Sequence, residues 1–551
     1  MIRALVIALL TALLAVPAHG AEPRIWYVDE SARAGGNGSA TAPFRSLGQV
    51  ERASRRGDTI RVVPSSLALD GGIRLKRNQT LVGLGRAATA LLTNTTTHLA
   101  GDAVRLADGA TVRNLRIVGA QRGAIYGIET TGVQVIGNDI SRHNASCTPG
   151  FLIPPFNAPT NVPGIGIPIS AGLQNGWAGI MIDAASTQHG TALIAGNTVH
   201  DAECGDGIDV RTSGTASYDV RIVGNTIHSL RQGPDFQSLL AIGLQARDHS
   251  ALTAVVRRNL QSELGNPDDL NLAVEGADSE GVFVNGVGPS RIRAVVTRNR
   301  YENRRGLGGF SANGLEMVTM GNGSRASVVI RNSHFSGSPG DVIEEGALGT
   351  NAVLEMVVDR VVAERSRGVG NTFVLPFNNG DCLLAGSLGA GNDVRLVVRD
   401  SVLRNCANNG LSVGSNVVNG SGPTKSISVT VLDSAITGNR GGNLGIRNFT
   451  ALDALSVTVR RTNLAGSSSI GSSVADFAAE NLGTVGRHLI DASGGNCLWG
   501  GLLAASVLGF DVLARQNWWG QPGGPGLLRT LVTGGSLDTS APLSAAPAPC
   551  V

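Results

Sequence analysis

The chain has 551 residues and a formal net charge of +3, with 42% hydrophobic, 16% charged and 4% aromatic residues, and 75 glycines. So weak a charge balance, with no basic run interleaved with aromatics, excludes nucleic acid as a partner, and no apolar stretch reaches the length of a membrane span. Scarce charge and abundant glycine describe aliphatic runs joined by tight corners, leaner than an ordinary mixed enzyme.

Met1 to Gly20 carries one early positive charge, an apolar run from Ala4 to Val16, and small residues at Ala18 and Gly20. That is the pattern of a secretory leader cleaved after Gly20, and it predicts a secreted or periplasmic protein. Downstream, positive charge is almost wholly arginine, the only lysines being Lys76 and Lys425. Next come Ile25-Trp-Tyr-Val-Asp29, a glycine-rich stretch at 35–38, and Ala42-Pro-Phe-Arg-Ser-Leu47. Leu47, Val50 and Ala53 share one helical face, which predicts a short helix near Ser46–Ser54.

From there the chain rewrites one phrase. Ala192-Leu-Ile-Ala-Gly-Asn197-Thr-Val-His200 and Asp219-Val-Arg-Ile-Val-Gly-Asn225-Thr-Ile-His228 are two copies. The Asn slot can be followed through Asn114, Asn138, Asn197, Asn225, Asn259, Asn299, Asn332, Asp359, Asp400, Asp433 and Arg461, mostly at steps of 24 to 41 residues. Self-similarity at that period marks a solenoid, whose units are too small to bury an apolar face without their neighbours. Runs such as Val394-Arg-Leu-Val-Val398 are β-branched and partly alternating, with no helical spacing. A second phrase follows the slot: Gly179-Ile-Met-Ile-Asp183, Gly207-Ile-Asp-Val-Arg211, Gly281-Val-Phe-Val-Asn285, Gly314-Leu-Glu-Met317. Short strands, Gly/Asn corners and one fixed Asn predict an all-β fold, a single right-handed parallel β-helix. Amides at one corner would then hydrogen-bond between coils about 4.8 Å apart. The expected divisions are a leader at 1–20, strand and capping helix at 21–60, the β-helix at 61–515, and a cap and tail at 516–551.

Four insertions interrupt the repeat: Cys147–Gly176, about 229–240, 261–280 and 303–313. The first, with prolines at 149, 154, 155, 159, 163 and 168, is expected to be neither strand nor helix. All four fall between the Asn slot and the following Gly-Ile strand, so they are expected to wall one flank of the first half. The six cysteines of an exported chain should pair. Cys147 and Cys204 sit at similar places beyond Asn138 and Asn197. Cys382–Cys406 and Cys497–Cys550 follow by proximity. Metal ligation is the rival reading, without a Cys-x-x-Cys or Cys/His cluster to support it.

The opening segment, continued by Arg56-Gly-Asp-Thr-Ile-Arg-Val62, resembles the start of secreted right-handed β-helix proteins of the pectate-lyase-like superfamily. Asn517-Trp-Trp-Gly520 with Gly523-Gly-Pro525 resembles the phrase on which such helices finish. The resemblance implies that the first strand, the glycine-rich turn and the helix cap one end. It implies that Trp518 and Trp519 cover the last coil or, as a rival, stack on sugar. It assigns no chemistry, because one solenoid hosts many functions.

Alternation in Gly207-Ile-Asp-Val-Arg211 turns Ile208 and Val210 inward and Asp209 and Arg211 outward. The aligned coils offer Glu129 with Thr131, then Met181 with Asp183, and beyond Arg211 Gly243 with Gln245 and Phe283 with Asn285. Glu129, Asp183, Asp209, Arg211, Gln245 and Asn285 would form an outward polar strip beside the loop wall, fit for a polysaccharide or cell-surface glycan. Asp183 and Asp209, with Arg211, are the catalytic candidates; Glu129, Gln245 and Asn285 would contact substrate. The bland alternative is a solvated strand face. His200 and His228, three past successive ladder residues, would contact substrate as acid or base or else serve as corner hydrogen-bond partners.

Asp206-Gly-Ile-Asp209 resembles one motif of the polygalacturonase-like glycoside hydrolases, an Asn-Thr-Asp followed by Gly-Ile-Asp. Here Cys204-Gly205 replaces Asn-Thr, and the family's Asp-Asp, Gly-His-Gly and Arg-Ile-Lys do not follow in order, Arg291-Ile-Arg293 being only an echo. The lyase relatives often use a Lys or Arg base with calcium-binding carboxylates. Arg211 would be that base, but neighbouring carboxylates oppose the lowered pKa it would need, which ranks hydrolysis ahead of elimination. Calcium is the one cofactor considered, held by the acidic loop of Glu263, Asp268, Asp269, Glu275, Asp278 and Glu280, unless that loop is merely solvated. Two classes stay open: a monomeric carbohydrate-active enzyme, and a non-catalytic β-helix that binds glycan or a cell surface.

Overall fold

The computed structural model describes residues 22–85, 90–154, 173–233, 235–236, 238–265, 278–303, 312–368, 380–467, 475–499, 503–526 and 529–550. The expected leader, the proline-rich stretch 155–172 and most of the acidic loop, with Asp268, Asp269 and Glu275, lie outside them.

Each coil runs through three short strands in turn. Ala251–Arg257 belongs to the first sheet, Leu260–Leu264 to the second and Asp278–Val287 to the third, and Arg291–Thr297 then returns to the first. Strands of successive coils pair in parallel, as Ala251 with Arg291, Leu260 with Arg300 and Ile242 with Val282. Among the described residues the sheets hold 17, 11 and 17 strands. The fold is a right-handed parallel β-helix.

Alternation decides what goes inside. In Ser217–Val223, Tyr218, Val220 and Ile222 are buried while Asp219 and Arg221 are exposed. The inward residues build one continuous apolar column from Val28 to Trp519, each fully buried aliphatic contributing about 1.5–3 kcal/mol.

The helix Leu47–Ala53 starts at Ser46, whose hydroxyl accepts from the Gln49 amide while the Gln49 side chain accepts from the Ser46 amide. Leu47 and Val50 are buried, and the helix packs against the strands Ile25–Val28 and Ile73–Arg74. It thereby covers an end of the column that would otherwise offer open strands. At the other end Trp519 is buried in the column and Trp518 is half-buried.

Cys147–Cys204, Cys382–Cys406 and Cys497–Cys550 are all bonded. Three disulfides mark an extracytoplasmic protein. Among the described residues no helix is long and apolar enough to cross a membrane.

The corner between the first and second sheets carries a buried amide ladder. The Asn138, Asn197, Asn225 and Asn259 backbone N–H groups each donate to the side-chain oxygen of the next coil's Asn, at 2.9–3.0 Å. Beyond Asn299 it continues through Ser333, Ser401, Ser434 and Thr462 to Asn496 and Asn517. This corrects the repeat traced in the sequence. Asn114, Asn332, Asp400, Asp433 and Arg461 stand one residue earlier, at the corner's left-handed position with φ of 48–56°. Asn and Asp tolerate that conformation, so a polar residue occurs at both neighbouring places and the trace slips by one. Asp359 lies two places before the ladder position, buried beneath Arg331, Arg360 and Arg399.

Candidate functional site

The strands Ile180–Ala184, Ile208–Thr212, Ser238–Arg247 and Asp278–Val287 lie side by side in the third sheet. Met181, Asp209, Gly243 and Phe283 form one outward row, and Asp183, Arg211, Gln245 and Asn285 the other. Asp183 and Arg211 pair at 3.0 Å, with 30% and 19% of their side chains exposed.

The rest of this face is covered, which overturns the open strip. Pro149–Ile153 and Leu173–Gly176 form an antiparallel hairpin over it. The insertion therefore begins and ends as strand, because its first proline opens the strand where no ladder bond is lost and the next, Pro154, follows its end. The Gly150 carbonyl accepts from Arg211 Nη1 at 3.0 Å and the Leu152 carbonyl from Gln245 Nε2 at 3.1 Å. Phe151 meets Phe283 edge-on at 6.2 Å within a second apolar cluster that includes Ile153, Leu240, Val318 and Met320. Gln245 and Asn285 are buried, and Gln245 Nε2 donates to Asn285 Oδ1 at 2.8 Å. They support the hairpin and offer no surface to a ligand.

Asp209 is fully buried. Among the described residues neither of its oxygens meets a donor in good hydrogen-bond geometry. The backbone of Gly243 comes so close that a Cβ there would stand 2.5 Å from Asp209 Oδ1. Burial pushes the Asp209 carboxyl up to about 7, against the opposing pull of Arg211, the Asp206 carboxyl and the Gly243 amide. Asp206, beside it, is also buried and held well above the carboxylate range by burial and by Asp209. Its own oxygens are satisfied, Oδ1 by the Leu240 amide and Oδ2 by Asn175 Nδ2, both at 2.8 Å.

Asp206 belongs to a second ladder, at the start of the third-sheet strands, which the sequence reading did not find. The Asp341 amide donates to Asn313 Oδ1 at 2.8 Å, Asp381 to Asp341 Oδ1 at 2.6 Å and Asn409 to Asp381 Oδ1 at 2.7 Å. The Asn313 amide reaches Glu280 Oε1 at 3.4 Å, so Glu280 lies in this ladder. Among the described residues no group of three or more acidic, His or Cys side chains is placed to hold a metal ion. The signal was an Asp or Asn directly before Gly, as in Asp206-Gly207, Asn313-Gly314 and Asn409-Gly410, hidden because Asp341 and Asp381 are followed by other residues.

At the rim beside Asp183 stand four residues that sequence reasoning also missed. Tyr126 and Trp177 meet edge-on at 5.1 Å. Arg122 lies over Trp177 at 4.0 Å and Arg105 over Tyr126 at 4.7 Å, both held by buried Asp102 at 2.7 Å. Tyr126 pairs with Met181 in register. The strand before Asp183 therefore offers Tyr126 and Ile128 where Glu129 and Thr131 were expected. Glu129 instead caps the turn after Ile180–Ala184, accepting from the Ala185 and Ser186 amides and the Thr187 hydroxyl. These bonds hold its carboxyl low against burial.

His200 and His228 lie in the second sheet, on another side of the prism from Asp209, so they do not join the strip. Their rings stack at 5.2 Å. His200 faces Asp139 through Nε2 and Asp201 through Nδ1, both at 2.8 Å. Burial, and then the neighbouring His200, hold the His228 imidazole below its ordinary range.

No family model matches the chain, and no characterised protein matches it in sequence. Among solved structures it is similar to a periplasmic alginate epimerase at 7% identity and TM-score 0.32, over 75% of this chain and 77% of that one. A pectate lyase matches at 13% and 0.27, over 82% and 79%. The A-module of a mannuronan C-5 epimerase from Azotobacter vinelandii matches at 11% and 0.29, over 91% and 93%. The β-helix assignment rests on the molecule's own sheets.

Proposed function

We propose that this is an extracytoplasmic β-helix protein that acts on polysaccharide by hydrolysis at Asp209 and Asp183. The observation that carries the reading is the fully buried Asp209 carboxyl, whose oxygens meet no donor in good hydrogen-bond geometry among the described residues. Such a group costs about 1–3 kcal/mol or more, and costs of that kind persist mainly at functional sites. With its carboxyl pushed up to about 7, Asp209 holds a proton near neutrality and suits the role of general acid. Asp183, ion-paired and partly exposed on the neighbouring coil, is the carboxylate partner, and Arg211 positions it. Coils about 4.8 Å apart and a two-residue step of about 6.6 Å along the strand set the positions of Asp183 and Asp209 about 8 Å apart, a spacing that fits inversion. Tyr126 and Trp177 beside Asp183 are buried under Arg105 and Arg122, so a sugar would reach them only once those side chains move. The hairpin must part from the sheet for Asp209 to reach it.

The hairpin's close cover over Asp209 favours a second reading, a non-catalytic β-helix that binds glycan. A polysaccharide panel separates the two, with reducing ends and the ultraviolet absorbance of unsaturated uronates both recorded. On an identified substrate, Asp209→Asn should lower turnover by about 10²-fold or more. The wild-type rate should fall on the alkaline side as pH passes about 7. No turnover on any polymer, or a variant within twofold of wild type, selects the binding protein.

A further inference from the structure

We infer that the outer face of the first sheet, over the three coils of Ala251–Arg257, Arg291–Thr297 and Arg325–Arg331, docks the protein on an anionic lipid surface. Residues 251–258, 291–298 and 325–332 contain seven arginines and no acidic residue, in a chain whose net charge is only +3. Arg257 and Arg258 stand on the first coil, Arg291, Arg293 and Arg298 on the second, Arg325 and Arg331 on the third. Arg291 and Arg325 are direct register partners, as are Arg257 and Thr297 and, on the next coil, Arg331. Six of the seven are exposed and Arg257 is half-buried. Arg331 reaches Asp359 at 3.5 Å; the other six make no ion pair among the described residues.

The shape of the face selects the partner. Val255, Val295 and Val329 run across the coils in one outward row between the arginines, and Val295 is 39% exposed. The three strands present no aromatic ring on which a sugar or an unstacked base would lie. The face is a parallel sheet whose three strands pair in register. What it does offer is a plane of guanidinium forks, which match phosphate oxygens two at a time, around an aliphatic stripe that tolerates the edge of the acyl region. Phosphate-bearing lipid headgroups answer all of these features, and an extracytoplasmic protein meets them at a membrane face. The first sheet is a different side of the prism from the third, so a docked molecule would hold the Asp183–Arg211 rim away from the lipid. The inference does not depend on catalysis at that rim.

Co-sedimentation with vesicles tests it, using phosphatidylcholine alone and phosphatidylcholine mixed with phosphatidylglycerol, at low and at high salt and without any polysaccharide. Wild type should bind only the anionic vesicles and release at high salt. Arg291→Ser/Arg293→Ser/Arg325→Ser should weaken binding by about tenfold or more with unchanged circular dichroism and melting. Arg52→Ser/Arg56→Ser, on the capping segment, should bind as wild type does. Absence of binding, equal binding to neutral vesicles, or a triple variant that binds like wild type would overturn the inference. So would duplex DNA or polygalacturonate retaining the protein as strongly at the same salt, which would reassign the face to another polyanion.

Discussion

At the corner between the first and second sheets the coils are tied by amides, and at the start of the third sheet largely by carboxyls. Both ladders place a side-chain oxygen where a neighbouring coil's backbone N–H needs an acceptor. They differ in what happens to the rest of the side chain. Asn225 uses all of itself: Oδ1 accepts from the Asn197 backbone and side chain, while Nδ2 donates to the Ile194 carbonyl and to Asn259 Oδ1. Asp381 accepts from the Asn409 amide through Oδ1, but among the described residues Oδ2 meets no donor in good geometry. A carboxyl so placed keeps its proton. Burial pushes Asp381 up to about 7, although Ser412, Asn409 and Arg447 pull it down. One corner should thus be indifferent to pH and the other should not, and it is the sensitive corner that lies next to the candidate site.

The largest effect should come from breaking the amide ladder. Asn225→Ala leaves the Asn197 amide and the Ile194 carbonyl buried without their side-chain partners, and removes a donor from Asn259 Oδ1. At about 1–3 kcal/mol for each orphaned group, the loss should be about 3–4 kcal/mol by chemical denaturation, equal at acid and alkaline pH. A pH-dependent loss would erase the contrast between the corners.

The carboxyl ladder should respond to pH instead. The native state holds the Asp381 proton where the unfolded chain has released it, so this carboxyl's contribution to stability is fully present below the ordinary value of 3.8. That contribution should be lost as pH rises towards about 7. Asp381→Asn keeps the acceptor and cannot ionise. The variant should match wild type near pH 4 and exceed it by about 2–4 kcal/mol near pH 8. A difference independent of pH would show that Asp381 is ionised in the fold.

Glu345 extends the comparison to a carboxyl with no ladder role. It points into the column between Met317 and Ala385, fully buried, and burial, then Glu355, hold it well above the carboxylate range. Among the described residues neither oxygen has a partner. Glu345→Leu fills the same space without the desolvated group and should stabilise by about 1–3 kcal/mol at neutral pH. Destabilisation would mean that the carboxyl is tied in a way the two ladders do not share.

How much of this was legible follows from what repeats in the sequence. The period, the aliphatic alternation and the Asn at the corner are local and recur on every coil, so the β-helix, its capping helix and its three disulfides could be read. Asp209, Arg211 and Asp183 could be placed in one sheet because Gly-Ile marks the same strand position each time. What could not be read was the cover. The hairpin that buries Asp209, Gln245 and Asn285 is one insertion without a repeat to align. Its contacts join Gly150 and Leu152 to residues 61 and 93 positions away. Glu129 went astray for a smaller reason: the strand before Asp183 begins at Ile125, three residues earlier than its Gly-Ile phrase suggests, which moves Tyr126 into the row.

The amide ladder is itself uneven, and that gives the finest test. From Ser333 onward hydroxyls replace amides at several positions. Ser434 Oγ accepts from the Ser401 amide at 3.2 Å and donates to the Leu432 carbonyl at 2.7 Å. That carbonyl also receives the Asp400 amide at 3.2 Å, so it keeps a partner if the hydroxyl is removed. Ser434→Ala then orphans one buried group, the Ser401 N–H. It should cost about 1 kcal/mol, roughly a third of the Asn225→Ala loss and equally independent of pH. If hydroxyl and amide rungs cost the same, the return bonds of the Asn side chains contribute nothing and the ladder's strength lies only in the N–H groups it accepts. A loss in the expected ratio would locate the extra strength in the amide's second half, which is the part a carboxyl cannot supply.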